Sequence, residues 1–442
     1  MAKAAYLSMV GLVWFALSGA SPGAKPAAAD EPLVGLPYGT VKLSADTKLW
    51  SLFPNKRIAV GTDAWDVEPR LGSGLVTWMH DNGHHWVLCA LAPEHEDRRL
   101  IDTGANAVRP DIGDGLMAWS GADGRTWQIF VSRAGEAPVQ ITHGRYACRT
   151  LRVSNGRVVW FEEDAPGAPI YLWDSQTGET KQLTDGKPQG GPAAFEGDEL
   201  VWMGKQGAYF QIFYLNLRTG ERRQLTDGNV NHRLPSISQG LIAWEAGDGD
   251  AAEIYFLDQL HRVRRITTNN CADRLVDVGR GILTWVRYGA GGGVMVCDAT
   301  AEPLVTFQIT NAVGDEYNPR ADGSWLVWNQ AEPMASAQPE ALKEETGPVP
   351  ARTRRPTRPR QSVYLLPDLT LYCKIARIAQ ALASGGGQLR REVDAAFTAL
   401  EMGGAGCDDV ARRHLQKVLA GTTSGRAHEL TAEVLRMMGT AT

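Results

Sequence analysis

The densest group of chemically versatile side chains lies in the segment MHDNGHHW, residues 79–86. It contains His80, Asp81, His84 and His85, and His95 follows nearby. A metal site requires several such side chains to converge on one point. Neighbouring residues at the start of a strand point to opposite faces, so at most one of His84 and His85 can share a site with His80. The segment by itself therefore favours a structural role over a metal site.

Other motifs that signal catalysis are missing from the sequence. It contains no HExxH metal-binding helix, no paired CxxC and no phosphate-binding loop. His143 and His232 lie in connecting segments, and they could complete a metal site with His80 only if all three converge. We expect no metal and no cofactor, and the separation of these three histidines tests the alternative.

A second polar set occupies one position of a repeat, eight residues before each of seven tryptophans. The residues one place before and after it are mostly apolar or small, so strand alternation turns the polar set towards a shared centre. The set consists of Arg70, Asp111, Arg152, Ala194, Ser236, Asp277 and Arg320. Its arginines and aspartates could form a structural ring of ion pairs, or they could bind a polar ligand. We take Arg70, Asp111, Arg152, Asp277 and Arg320 as the candidate ligand-binding residues.

The tryptophans that define this position end short apolar runs at a nearly constant interval. They are Trp78, Trp119, Trp160, Trp202, Trp244, Trp285 and Trp328, with spacings of 41, 41, 42, 42, 41 and 43 residues. A second apolar run follows each tryptophan, and a segment such as QLTDG separates most units. Each unit therefore predicts four short strands bounded by Gly, Asp and Asn turns.

A period near 42 residues with four strands per unit is typical of a β-propeller blade. Stacking blades in a ring buries the apolar faces that a single blade would leave exposed. We therefore predict an all-β seven-bladed propeller of four-stranded antiparallel blades over residues 55–368. The segment RIAV at 57–60 stands in the outer-strand position without a blade of its own, so we expect it to close the ring in the last blade.

The repeat resembles that of the TolB-like propeller family. The residues that carry the resemblance are IYLWDSQTGETKQLTDG at 170–186, IFYLNLRTGERRQLTDG at 212–228 and RLPSISQGLIAW at 233–244. The resemblance implies a secreted propeller. TolB itself has six blades and an N-terminal α/β domain, and neither is evident in this chain.

Three segments fall outside the repeat. Residues 1–29 are typical of a secretory signal peptide, with an uncleaved anchor as the alternative, and leave no transmembrane span after processing. Residues 329–361 form a Pro- and Arg-rich insertion that we expect to be disordered, either a solvated loop or a tether for an anionic partner. Residues 369–442 predict a C-terminal bundle of four amphipathic helices, where Cys373 and Cys407 are the only cysteine pair that we expect to bond.

The formal net charge of −5 gives no global electrostatic reason to bind nucleic acid or an anionic membrane. We therefore expect a periplasmic or extracellular, non-catalytic binding or scaffold protein. Its partner, a protein or an envelope polysaccharide, would lie on the face where the connections between blades emerge. The alternative is a carbohydrate-active enzyme, a polysaccharide lyase or glycoside-active propeller, that uses the channel mouth. The fold alone cannot separate the two.

Overall fold

The computed structural model confirms a seven-bladed β-propeller with four-stranded antiparallel blades and four C-terminal helices. It describes residues 39–41, 50–52, 55–58, 65–82, 84–92, 97–101, 105–133, 136–186, 190–289, 292–301, 304–310, 316–323, 325–331, 361–366, 369–382, 387–402, 407–422 and 425–439. The proposed signal peptide lies outside these residues. None of the helices described is both long enough and apolar enough to cross a membrane.

The strands run from the central channel outwards in each blade. Three short strands come first: β1 (Gly39–Val41), β2 (Trp50–Leu52) and β3 (Asn55–Ile58). Blades 1 to 3 consist of β4 (Asp66–Gly72), β5 (Leu75–Asp81), β6 (Trp86–Ala92) and β7 (Asp97–Ile101); β8 (Ala107–Gly113), β9 (Leu116–Ala122), β10 (Trp127–Arg133) and β11 (Val139–Gln140); and β12 (Cys148–Ser154), β13 (Arg157–Glu162), β14 (Ile170–Asp174) and β15 (Thr180–Gln182).

Blades 4 to 6 repeat the pattern, and blade 7 is completed from the other end of the chain. Blades 4 to 6 consist of β16 (Ala193–Glu196), β17 (Glu199–Gln206), β18 (Tyr209–Asn216) and β19 (Arg222–Gln224); β20 (His232–Ser238), β21 (Leu241–Ala246), β22 (Glu253–Leu257) and β23 (Val263–Arg265); and β24 (Asp273–Gly279), β25 (Ile282–Arg287), β26 (Gly293–Asp298) and β27 (Val305–Gln308). Blade 7 contains β28 (Glu316–Asp322), β29 (Trp325–Ala331) and β30 (Gln361–Leu366).

The N-terminal segment closes the ring as predicted. Strand β3 pairs antiparallel with β30, and β2 pairs with β3 as a fifth strand of blade 7. Strand β1 extends blade 1 by pairing with β7. The proposed insertion is shorter than expected because β29 continues to Ala331 and β30 begins at Gln361, and its remaining residues, 332–360, lie outside those described.

The repeated tryptophans form the centre of each blade. All seven lie on second strands and are at most 4% exposed. Five of them stack on an aromatic ring directly opposite on the third strand, as Trp202 does on Phe213 with 5.6 Å between ring centroids. Each seam between neighbouring blades buries its own apolar cluster. The 42-residue period thus reflects one large aromatic side chain per blade, with the seams burying the faces of the sheets.

The QLT segment that recurs before each new blade fastens the outer strand to the third strand. Thr226 Oγ1 accepts the Ile212 backbone N–H at 2.9 Å, and Gln224 Nε2 donates to the Thr226 carbonyl at 2.7 Å. Equivalent threonine bonds occur in blades 2, 3, 5 and 6. The repeated phrase is therefore structural.

The C-terminal helices pack on blade 6. They are α1 (Leu369–Ala381), α2 (Gly387–Met402), α3 (Cys407–Gly421) and α4 (Arg426–Gly439). Ala376 of α1 packs on Val305 of the outer strand β27, and Arg377 Nε donates to the buried Asp298 at 2.7 Å. Cys373 is a buried free thiol on α1, so the expected bond to Cys407 is wrong. It packs instead within the apolar cluster that joins the helices to blades 6 and 7.

Candidate functional site

The candidate site is the wall of the central channel, which the innermost strands form. In six blades a β-bulge interrupts the pairing of the first and second strands. Five of these bulges hold a non-glycine residue with positive φ: Glu68, Arg109, Leu234, Leu275 and Asn318. A bulge bends its strand and redirects the adjacent side chains. In each of these five blades, the member of the polar set lies two residues after the positive-φ residue.

The seven residues of the polar set lie at one level of the channel. Each pairs with the residue immediately before the tryptophan of its blade. The pairs are Arg70 with Thr77, Asp111 with Ala118, Arg152 with Val159, Ala194 with Val201, Ser236 with Ala243, Asp277 with Thr284 and Arg320 with Val327. The identical register makes them a ring, which we call the polar ring.

Three members of the polar ring bridge neighbouring blades. Asp111 Oδ2 accepts the Val153 N–H of blade 3 at 2.8 Å. Ser236 Oγ donates to Asp277 Oδ1 at 3.0 Å, and Asp277 Oδ2 accepts the Ala321 N–H of blade 7 at 3.2 Å. These side chains reach sideways to the neighbouring blade, whereas strand alternation alone predicted that they would point towards the centre of the channel. Each aspartate therefore forms hydrogen bonds that connect neighbouring blades.

The arginines are less fully paired than the aspartates. Arg320 Nη1 lies 3.4 Å from Asp277 Oδ1 and donates to the Pro319 carbonyl at 3.2 Å. Arg152 Nη1 donates to the Leu151 carbonyl at 2.7 Å. Among the residues described, neither Arg152 nor Arg70 has an ion pair within 4.0 Å. The polar ring is thus not the alternating set of ion pairs that its composition allows.

The arginines repel one another across the channel. Burial lowers the pKa of Arg320 to about 9, and the positive charge of Arg70 is the next cause. Burial and then Arg70 also lower the pKa of Arg152, to about 10, while Asp111, Asp277 and Glu68 oppose that shift. Charges from blades 1, 2, 3, 6 and 7 therefore act on one another, which places them around a common space.

Two of the three histidines named as metal candidates make separate structural contacts. His80 Nδ1 lies 3.1 Å from Asp66 Oδ1, which also accepts the Trp78 indole N–H at 2.7 Å. His232 Nδ1 accepts the Trp244 indole N–H at 2.9 Å, and burial lowers the pKa of His232. His143 is exposed. Within the described part of the chain, no three His, Cys, Asp or Glu side chains are grouped to hold a metal ion.

Two polar features near the channel were not found from the sequence. Glu245, which follows the tryptophan of blade 5, is 6% exposed and accepts the Leu275 N–H at 2.5 Å. Arg109 Nη1 contacts Thr150 Oγ1 at 2.8 Å and Glu163 Oε1 at 3.1 Å, across blades 2 and 3. In both cases the interacting groups belong to different blades. The sequence repeat describes each blade separately and therefore does not predict contacts between blades.

Comparison with known proteins adds little beyond the fold. No known protein family and no curated protein matches the sequence. Similar solved structures include the β-propeller domain of the Trilobed protease from Pyrococcus furiosus, at 12% identity over 60% of this chain and 89% of that one, with a TM-score of 0.49. The acylaminoacyl peptidase from Pyrococcus horikoshii is 13% identical over 61% of this chain and 49% of that one, with a TM-score of 0.48.

TolB from Acinetobacter baumannii is also similar, at 14% identity over 61% of this chain and 74% of that one, with a TM-score of 0.39. The chain spans about half the length of the acylaminoacyl peptidase that it matches. These likenesses carry no argument about the function of this chain. The resemblance to the TolB-like family therefore rests on the repeat motifs quoted above.

Proposed function

We propose that this chain is a secreted or periplasmic, non-catalytic binding protein. Its ligand or protein partner would occupy the inter-blade-loop face, which we define as the end of the propeller where blade-to-blade connections emerge. The observation that carries the proposal is the polar ring, because it places Arg70, Arg152 and Arg320 at one level of a channel. Loops that a rigid scaffold positions often carry binding residues, although the fold does not fix the function.

The contacts of the polar ring favour recognition over catalysis. Asp111 and Asp277 are each held by a backbone N–H of the next blade, so both carboxylates are fixed in the channel wall. Glycoside hydrolysis needs one carboxyl group as an acid and a second as a base or nucleophile. Aspartates that hold neighbouring blades together fit a positioning role better than that chemistry. The exported location rests on the signal-peptide pattern of residues 1–29.

The experiment is an affinity capture from the envelope fraction with the mature chain, residues 30–442, as bait. The matched baits are Arg320→Gln in the polar ring and Arg218→Gln, whose side chain is 78% exposed in an outer turn. We expect a protein or polysaccharide that the native and Arg218→Gln baits retain and the Arg320→Gln bait loses. Equal retention by all three baits would contradict a channel-dependent partner.

A second assay addresses the enzymatic alternative. The native chain is incubated with envelope and uronate-containing polysaccharides, and reducing ends and unsaturated products are measured. We expect no product above the level of the Arg320→Gln variant. Turnover by the native chain that disappears in this variant would replace the binding function with a catalytic one.

A further inference from the structure

The polar ring has an uneven distribution of charge. Its arginines belong to blades 7, 1 and 3, and its aspartates belong to blades 2 and 6. Arg320 and Arg70 therefore sit on neighbouring blades with no acid between them at this level. Blades 4 and 5 carry Ala194 and Ser236, so that side contributes no charge. Positive charge is concentrated around Arg70.

The two aspartates offset this concentration only in part, because the polar ring holds three arginines. Asp111 directs Oδ2 at the Val153 N–H, and Asp277 uses both oxygens on Ser236, Ala321 and Arg320. Glu68 lies in the bulge of blade 1, two residues before Arg70, and is the third acid whose charge acts on Arg152. Among the residues described, Glu68 has no ion pair with any arginine of the ring. The three guanidinium groups thus share two ring carboxylates, whose oxygens also accept hydrogen bonds from neighbouring blades.

The arginines also retain unused hydrogen-bond donors. A guanidinium group has five N–H donors in a planar fork that matches a carboxylate or phosphate. Arg152 and Arg320 each use Nη1 on a nearby backbone carbonyl, which fixes the direction of the fork. Arg320 Nε is buried and has no acceptor among the described atoms. A buried donor without an acceptor is costly, and a bound anion would satisfy it.

We infer that Arg70, Arg152 and Arg320 form a receptor for one oxyanion group, a carboxylate or a phosphate, at the level of the polar ring. The inference rests on the proposed function and specifies the chemistry of the ligand. An anion there would screen the repulsion between Arg70 and the other two arginines and accept their free donors. The alternative is that the acidic side chains of the channel compensate the charge of the three arginines without a ligand.

The two possibilities predict opposite effects for Arg70→Gln in anion-poor buffer. Arg70 has no hydrogen bond or ion pair with the other described residues, so its substitution removes repulsion without removing a described contact. A receptor without its anion should therefore melt at a higher temperature when Arg70 is replaced. A self-balanced ring should melt at a lower temperature, because one of its cations is lost.

Anion binding is then measured directly on chains 30–442 at constant ionic strength. Sodium phosphate and sodium acetate are titrated separately, with melting temperature and calorimetric heat as readouts. We expect saturable binding of at least one anion by the native chain and by Arg218→Gln. Binding by Arg70→Gln should weaken roughly tenfold or more, as expected for a lost charge-assisted hydrogen bond. The tighter of the two anions identifies the group.

Absence of saturation with both anions, or equal affinity in Arg70→Gln, overturns the receptor. Arg70→Lys keeps the charge but loses the fork, and its affinity should fall between those of the other two chains. The capture experiment separates this inference from the proposed function. A channel-dependent partner without anion binding refutes only the oxyanion receptor, whereas anion binding without such a partner supports the receptor and contradicts a protein or polysaccharide partner.

Discussion

Single residues decide much of how neighbouring blades meet, and Glu245 is the clearest case. Its carboxylate is buried between blades 5 and 6, where it accepts the backbone N–H of Leu275. Burial raises the pKa of Glu245 to about 7, while that hydrogen bond and the charges of Arg274 and Arg233 oppose the shift. The folded protein therefore holds the protonated acid more readily than the unfolded chain does.

This raised pKa predicts that stability falls as the pH rises from about 4.5 to about 7. An acid with a raised pKa in the folded state contributes stability that is complete below its ordinary value near 4.5 and is lost as the pH rises through about 7. The penalty at pH 8 is about 3 kcal/mol. Glu245→Gln should flatten the fall in unfolding free energy between pH 5 and pH 8, measured by denaturant titration.

The control for this prediction is Glu221→Gln, because Glu221 is exposed at an outer turn. It should leave the pH dependence unchanged. An equally steep fall with pH in Glu245→Gln would show that another group is responsible.

At the scale of elements, the hydrogen bonds of the QLT segment should contribute measurably to the stability of each blade. Thr226 Oγ1 accepts the Ile212 N–H and donates to Gln211 Oε1 at 2.8 Å, in a buried position. Thr226→Val keeps the shape and leaves both partners unsatisfied, so the unfolding free energy should fall by about 1–3 kcal/mol. Thr219→Val alters an exposed turn and should change it by less than about 0.5 kcal/mol.

The tryptophan of each blade should contribute more than the threonine. Trp202 is 3% exposed and stacks on Phe213, and Trp202→Ala would leave a large cavity between blades 3 and 4. We expect a loss of about 3–5 kcal/mol in the free energy of unfolding. Trp202→Phe, which keeps an aromatic ring, should lose clearly less. Denaturant unfolding of the two variants measures these free energies. Values equal to that of the native chain for both variants would refute the packing role.

The sequence predicted the register of these elements but not their distortions. The spacing of Trp78 to Trp328 fixes the second strands, and side-chain alternation then places the polar ring on the first strands. The bulges were not predictable, because positive φ at Glu68 or Leu275 has no glycine to signal it. The Asp111 bridge to Val153 was also hidden, because it depends on how one blade packs on the next.

For the whole molecule, the two ends of the chain both reinforce the last two blades. The C-terminal α1 covers the outer strand of blade 6, with Gln380 Nε2 donating to the Leu304 carbonyl at 3.0 Å. The N-terminal β3 completes blade 7. Exposed outer strands invite unwanted pairing, so the helix that covers β27 protects that edge, whereas the addition of β2 makes β2 the outer strand of blade 7. Neither the site of helix packing nor the added strand β2 was predictable from the repeat.

Ring closure by β3 leads to the last prediction. Arg57 pairs with Tyr364 on one side and with Trp50 on the other, so β3 is an interior strand of blade 7. Arg57→Pro removes a backbone donor there, and proline is tolerated in sheets mainly on edge strands. Thr40→Pro is the matched control, because β7 is the one described strand with which β1 pairs, at the rim of blade 1.

We expect Arg57→Pro to lower the melting temperature of the whole propeller by several degrees, and Thr40→Pro to lower it much less. A broken β3 frees the edge of β30 and loosens the join between the two ends of the chain, and the consequence spreads because each blade is stabilised by its neighbours. Chains that start at residue 30 and at residue 61 provide an independent comparison. The same cooperative transition at the same temperature in the shorter chain would contradict closure through β3.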